Sequence, residues 1–335
     1  MRLPGKATIP RLEATLASQL QGTPLFEWAE RTTLEVLRKA GQNCPPIEMS
    51  DHLLKSRKVD SVEFVGSLPE RARLEVRRDG FGVQMDSRFS RNLFWRRFLL
   101  AHELAHTLFY QVESEPPASR LLVRPGNSEL EWLCSYLAKC LLMPIGALRE
   151  IWHSETGKAR VDISILFRLS QRFLLPWSIV AERLVQDAGL WRVILLHWQL
   201  ERNCEDPSWR LVWQVAPADV PPGLFIPIGR RQPSGEMRYP RAKGQLAKLL
   251  YQLASSEEGA AERVPLSVTD LKIGNLQKIL SESPHSCERV DWTLVGRNKS
   301  GTFEWVEPQP RKSILISVQL DKASSAAAFD SETPT

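Results

Sequence analysis

Leu12, Leu16 and Leu20 recur every four residues, and after a Gly-Thr-Pro break Trp28, Thr32, Leu34 and Leu37 continue the apolar stripe. This spacing predicts helix over 11–40, with Gly41 as the stop. Cys44-Pro45-Pro46 reads as an extended connection, because the ring of Pro45 disfavours helix at Cys44. A short helix is expected from Met49 to Leu54. The period then changes to two. Val62, Phe64 and Val65 look like one strand, and Leu74 and Val76 like another. Past the Asp79-Gly80 turn signal, Phe81, Val83 and Met85 alternate with Gly82, Gln84 and Asp86. A small antiparallel sheet is expected here.

Residues 92–110 (NLFWRRFLLAHELAHTLFY) are the most apolar helix candidate in the chain. Pro116, Pro117, Pro125 and Gly126 make 112–127 a loop. A helix from Ser128 to Leu142 should end before Pro144, with another reaching about Trp152. Amphipathic helices are expected near 163–174 and 177–187, closing at Gly189. From Trp191 onward strands predominate, at 193–196, 211–215, 225–228, 292–295, 303–306 and 314–318, with helices at 243–254 and 269–281. The pattern implies an α+β fold class throughout: a mostly helical domain over 1–190, a second α+β domain over 191–320, and a small, polar, disordered tail over 321–335.

Composition narrows the class. Of 335 residues, 43% are hydrophobic and 25% charged, which excludes a fibrous repeat or wholesale disorder. The net charge of +5 permits nucleic-acid contact without demanding it. Five scattered cysteines (Cys44, Cys134, Cys140, Cys204, Cys287) contain no C-x-x-C pair, so a disulfide scaffold and a thiolate zinc knuckle are both disfavoured. The N-terminus has no apolar signal region, and no stretch reaches the ~18 apolar residues of a membrane span, so a cytoplasmic protein is expected.

The chemistry concentrates in His102-Glu103-Leu104-Ala105-His106. On a helix, residues four apart share a face, so two imidazoles converge on one ion. Zinc takes nitrogen ligands in a tetrahedron and, in a catalytic site, keeps one position open for water. Glu103 stands beside the first ligand, where its carboxylate can act as general base, and the ion makes hydroxide available near neutral pH. A shuffled chain with six histidines would show this pattern about 0.01 times, so accident is a poor account of it.

A third ligand must come from elsewhere. Glu113 and Glu115 lie in the Pro-rich loop, and Glu129 and Glu131 open the following helix. Glu131 shares a stripe with Cys134, Ala138 and Leu142, which would put a carboxylate at the rim of an apolar face. Glu129 points elsewhere and would simply favour the helix N-terminus, a role that is also the alternative for Glu131. Cys134 reads either as a thiolate that fills the open metal position or as a small core residue.

The run Arg97-Phe98-Leu99-Leu100-Ala101-His102-Glu103-Leu104-Ala105-His106, followed by Glu131 and then Leu141-Leu142-Met143-Pro144, resembles the ImmA/IrrE family of metallopeptidases. That family shows R-F-x-x-A-H-E-L-x-H and then E-x-E-A-x-x-F-A-x-x-L-L-M-P. Here Leu133 and Cys134 replace the second Glu and the Ala. Pro45-Pro46-Ile47, and the pair Leu169–Phe173 and Ser178–Leu184, are similar to the family's flanking segments. The resemblance covers roughly residues 25–190. It implies a zincin-like cytosolic zinc endopeptidase that cleaves helix-turn-helix repressors to release stress or defence genes. It assigns His102, His106 and Glu131 to Zn²⁺ and Glu103 to catalysis. Members carrying a GAF-like sensor domain, including the phage-defence-associated CapP type that responds to single-stranded DNA, resemble the two-part layout.

Basic residues crowd three places: Arg71 to Arg78, Arg88 to Arg97, and Arg230, Arg231, Arg238, Arg241 and Lys243, the last cluster interleaved with Met237 and Tyr239. Solvated surface with local ion pairs is one reading. Single-stranded DNA, held by phosphate attraction and base stacking, is the other, and the third cluster suits it best. Tyr110, one turn past His106, is a candidate oxyanion donor. His153, His197 and His285 lie outside any ligand spacing. Residues 164–187 also resemble a helix-turn-helix, so a DNA-binding regulator that retains a metallopeptidase fold is the rival class.

Overall fold

The computed structural model describes residues 8–42, 44–110, 128–157, 161–201, 208–220, 230–231, 237–238, 241–242, 246–248, 250–251, 287–294 and 313–320. Within them the chain forms two compact units. One comprises Met1–Arg160 and Ile165–Val180; the other comprises Val161–Ser164 and Ala181–Thr335. The loop at 112–127, the strands at 225–228 and 303–306, the helix at 269–281 and the tail lie outside the described residues. The helix at 243–254 is described only at 246–248 and 250–251, where it is helical.

In the first unit the leucine stripe forms α1 (Thr8–Thr15), α2 (Ala17–Leu20) and α3 (Leu25–Lys39). Leu12, Leu16, Leu20, Leu25 and Trp28 are buried together. Leu34, expected in the stripe, is 45% exposed; Thr33 is buried instead, its hydroxyl bonded to the Ala29 carbonyl. The inward face thus departs from the hydropathy pattern at this turn, while Trp28 and Leu37 of the stripe are buried as expected. Gly41 ends the helix at a φ of 67°, a left-handed conformation that costs glycine little. After α4 (Asp51–Ser56), capped by Ser50, come β1 (Val59–Val65), β2 (Ala72–Val76) and β3 (Phe81–Asp86).

The strand order is β1-β3-β2. The expected antiparallel pairing holds for the β2–β3 hairpin, whereas β1 runs parallel to β3. The small sheet is therefore mixed. Central β3 buries Phe81, Val83 and Met85, the apolar half of the alternation. A Cβ at Gly80 would collide with the Lys58 carbonyl, so the turn requires glycine there. The arginines of this region are engaged locally: Arg77 bonds Asp60, Ser61, Glu63 and Glu75, Arg73 bonds Gln84, Arg88 bonds Asp86, and Arg71 lies 4.9 Å above the Trp95 ring.

Asn92 caps α5 (Leu93–His106) by accepting from the Trp95 amide at 3.1 Å. α5 is buried on most sides, as its apolar composition demands, and continues into a 3₁₀ turn over Thr107–Phe109. α6 (Ser128–Leu142) packs against α5 and α3, and α7 (Ile145–Thr156) and α8 (Ser164–Phe173) follow. Arg97 explains the first residue of its motif. Buried on α5, it donates to the carbonyl of Ile47 at 2.6 Å and to that of Leu174 at 3.2 Å. It thereby ties both the Pro-Pro-Ile segment and the end of α8 to the metal helix. Among the described residues no single helix is long and apolar enough to cross a membrane. α6 and α7 would suffice together, but they meet at a 60° bend.

α9 (Trp177–Glu182) and a π turn over Arg183–Asp187 lead into the second unit. There β4 (Val193–Glu201), β5 (Ser208–Val215), β8 (Cys287–Leu294) and β9 (Ser313–Leu320) form an antiparallel sheet in the order β5-β4-β9-β8. Ile194, Leu196 and Trp198 of β4 oppose Val318, Ile316 and Ile314 of β9, so one apolar face is continuous across both strands. A two-residue ladder joins β6 (Arg230–Arg231) to β7 (Met237–Arg238), with Arg230 opposite Arg238, and Arg241 bridges to Arg210 through the backbone. Strands and the helical residues at 246–248 and 250–251 give this unit the mixed α+β texture expected of it.

Replacing Arg97 by Leu leaves the Ile47 and Leu174 carbonyls without their charged donor and should cost about 2–3 kcal/mol, visible as a lower urea midpoint. A midpoint equal to that of the wild type would refute the clamp.

Candidate metal centre

α5 presents His102 and His106 one turn apart, and α6 begins where its first turn faces them. His102 Nε2 lies 3.1 Å from Glu131 Oε2, and His106 Nε2 lies 3.6 Å from Glu131 Oε1. The two Nε2 atoms are 3.3 Å apart. One donor atom from each residue lies within 4.8 Å of the others, a span that two imidazoles and a carboxylate around a single ion would occupy. The donor set, two neutral nitrogens and one carboxylate, suits zinc and leaves a tetrahedral position for solvent. Spacing singled out the two histidines and the resemblance added Glu131; the packing of α5 on α6 brings the three together.

The remaining acidic candidates separate. Glu129 sits 3.8 Å from Arg11 of α1, away from the imidazoles, while Glu113 and Glu115 lie outside the described residues. Glu103 is buried, 4% exposed, beside the first histidine. The Leu74 amide of edge strand β2 lies near its carboxylate and favours the charged form slightly. Burial pushes the Glu103 pKa up, opposed by the nearby His102 and His106. Glu131 moves the other way: its bonds to His102 and His106 hold its carboxyl well below the usual range. Two carboxyls on the same imidazole pair thus have opposite proton affinities, the buried one suited to accept a proton and the half-exposed one to stay ionised.

The far sides of both rings are also engaged. Ser135 Oγ lies 3.1 Å from His102 Nδ1, and Cys134 Sγ lies 3.4 Å from His106 Nδ1. Cys134 is fully buried behind the ring, not in the open position between the Nε2 atoms. Burial pushes its pKa well up, which keeps it a thiol. Leu133, where the family pattern has Glu, is wholly buried in the core formed with α1 and α3. Tyr110 spends its ring on an edge-to-face contact with Phe81 at 5.0 Å. His153 is exposed; His197 is buried on β4, where desolvation lowers its pKa to about 4; His285 lies outside the described residues. The hydropathy pattern missed Ser135 and the Leu74 amide. Position 135 lies four residues past Glu131 and so on its face, a usable signal, whereas a backbone amide leaves none in the sequence.

Residues 92–185 match the model of the IrrE N-terminal-like domain, peptidase family M78. No curated protein matches the chain. Among solved structures the chain is similar to a Mycobacterium tuberculosis transcriptional regulator at 12% identity, with 98% of this chain and 99% of that one aligned and a TM-score of 0.38.

Because the Glu103 pKa is raised, the folded state retains a proton that the unfolded state sheds near the ordinary value of 4.5. The ionised carboxylate therefore costs stability increasingly as pH rises above 4.5. Metal-free Glu103→Gln should melt above the wild type at pH 7, with the gap closing towards pH 4. For Glu131, whose pKa is lowered, the contribution is present above 4.5 and lost on acidification, so Glu131→Gln should melt below the wild type at pH 7. Thermal unfolding in chelator measures both; gaps that do not vary with pH would contradict the assignment.

Proposed function

We propose that the chain, whose residues 92–185 match the IrrE N-terminal-like metallopeptidase domain, is a zinc-dependent endopeptidase acting in the cytoplasm on one protein partner, a helix-turn-helix transcriptional repressor, whose cleavage releases stress or defence genes. The observation that carries the reading is the meeting of His102, His106 and Glu131 beside a buried Glu103. Zinc bound there supplies Lewis acidity, polarising a carbonyl and acidifying water. His102, His106 and Glu131 would hold the ion. Glu103 takes the proton from the attacking water and returns it to the departing amine. Its burial raises its proton affinity above that of an ordinary carboxylate, which favours uptake of that proton. The apolar packing of α5 keeps bulk water away from the general base.

The choice of a repressor as substrate rests on the resemblance of the two metal helices and the Pro-Pro-Ile segment to that family, as does the phage-defence setting. The activating ligand in this reading is single-stranded DNA, for which the support is the ladder that sets Arg230 opposite Arg238, with Arg231 next in the ladder and Arg241 paired with Arg210 in the same unit.

Co-expression with helix-turn-helix repressors encoded near its gene should yield one cleaved repressor, detected by mass. Glu103→Gln should keep zinc and lose about 10²–10⁴-fold in rate. A regulator that kept the fold without proteolysis would be indifferent to Glu103→Gln, and an intact repressor under every inducing condition would remove the substrate assignment. Oligo(dT) should bind the full chain with a steep salt dependence. Joint replacement of Arg230, Arg231, Arg238 and Arg241 by Ala should reduce the log–log slope by about 3. An unchanged slope would exclude that ladder as the DNA site.

A further inference from the structure

The two Nε2 atoms converge, so both imidazoles can serve one ion there only if each presents its lone pair at Nε2. The proton each ring carries must therefore sit on the opposite nitrogen and needs a fixed acceptor there. In this chain both opposite nitrogens point into α6, away from solvent. Ser135 Oγ is 3.1 Å from His102 Nδ1 and Cys134 Sγ is 3.4 Å from His106 Nδ1. Ser135 is 3% exposed and Cys134 is 0% exposed, so water does not replace either group. Both follow Glu131 at helical offsets of four and three, so a single turn of α6 carries one candidate ligand and the backing of the other two.

We propose that Ser135 and Cys134 are positioning residues which hold the Nδ1–H tautomers of His102 and His106, turning both Nε2 lone pairs towards the metal, with Ser135 the stronger support of the two. The inference rests on the metal-site reading above. The ranking follows from the acceptors: a hydroxyl oxygen offers two lone pairs to an N–H, whereas a thiol sulfur accepts weakly. It also explains how the site stands without the second Glu of the family pattern. At that position Leu133 faces the core, and its neighbours on the next part of the turn take over the rings. Serine in place of Cys134 would give His106 the same quality of acceptor that His102 has.

The test is zinc affinity of the full chain, stripped of metal and titrated with zinc against a chromophoric chelator. Ser135→Ala should weaken binding about 10–100-fold. Ser135→Thr, which restores the hydroxyl, should hold within a few-fold of the wild type, and Cys134→Ser should bind tighter. Nitrogen-15 spectra of the zinc-loaded protein should show a protected Nδ1–H for His102 that Ser135→Ala loses. Far-UV dichroism of Ser135→Ala equal to that of the wild type shows that the weakening is not unfolding; should that variant not fold, Ser135→Thr and Cys134→Ser carry the same comparison. If the wild type takes up no zinc, the metal-site reading falls and this inference with it. If the wild type binds zinc while Ser135→Ala binds within twofold of it, or Cys134→Ser binds more weakly, the positioning role is overturned and the metal site stands.

Discussion

The register between α5 and α6 is the constraint on which the rest depends. Four-residue spacing along α5 aligns His102 and His106, but nothing within that helix supplies the carboxylate. It arrives because the first turn of α6 lies against the last turns of α5, with Glu131 3.1 Å from one ring nitrogen and 3.6 Å from the other. That register is set by apolar packing. Leu130, Leu133 and Leu137 of α6 share a core with Ala105 and Phe109, and with the leucines of α1 and α3. A slide of one residue would turn Glu131 by ~100° about the helix axis and leave the imidazoles without their anion. Fixing three donors before a ligand arrives is worthwhile because an ion then pays little reorganisation on binding.

The same packing explains why Glu103 is an unusual carboxylate. It sits on a helix buried on most sides, which no free ionised group would choose, and its company is two imidazoles and one backbone amide from β2. Burial raises its proton affinity while the imidazoles restrain the rise. A residue that must gain and lose a proton in each turnover is served by that balance. The mixed sheet contributes through its edge. Leu74 pairs with Val83 of β3 in the β2–β3 ladder, yet its amide lies near the Glu103 carboxylate, as alternate amides of an edge strand point away from their partner.

Much of the candidate site was legible because its signals are local. The His102–His106 spacing, the acid beside the first histidine and the Glu131 stripe follow from helical periodicity alone. So do the breaks at Gly41 and Pro144, where the chain cannot continue a helix. What periodicity could not show is pairing between distant segments. The parallel β1–β3 pairing links strands separated by β2, and alternation of side chains is the same in parallel and antiparallel neighbours. Arg97 read as one more basic residue ahead of the metal helix, yet it is buried on two carbonyls 50 and 77 residues away. Leu34 and Thr33 differ for a related reason. The inward arc of α3 is set by what α6 brings to it, and a threonine whose hydroxyl bonds back to Ala29 can be buried at little cost.

Leu133 shows how a departure from a family pattern should be weighed. A missing carboxylate beside a metal motif suggests weakened support for the ligands. The packing shows that position 133 points into the core, so a leucine there adds to the apolar contacts that fix the α5–α6 register. Contact with the rings falls to positions 134 and 135, which the motif pattern assigns no polar role. Support for a ligand is thus a property of the helical face and not of the motif letter. A small polar side chain three or four residues past the carboxylate reaches the rings by geometry alone, while the motif position two residues on lies about 200° around the helix and cannot.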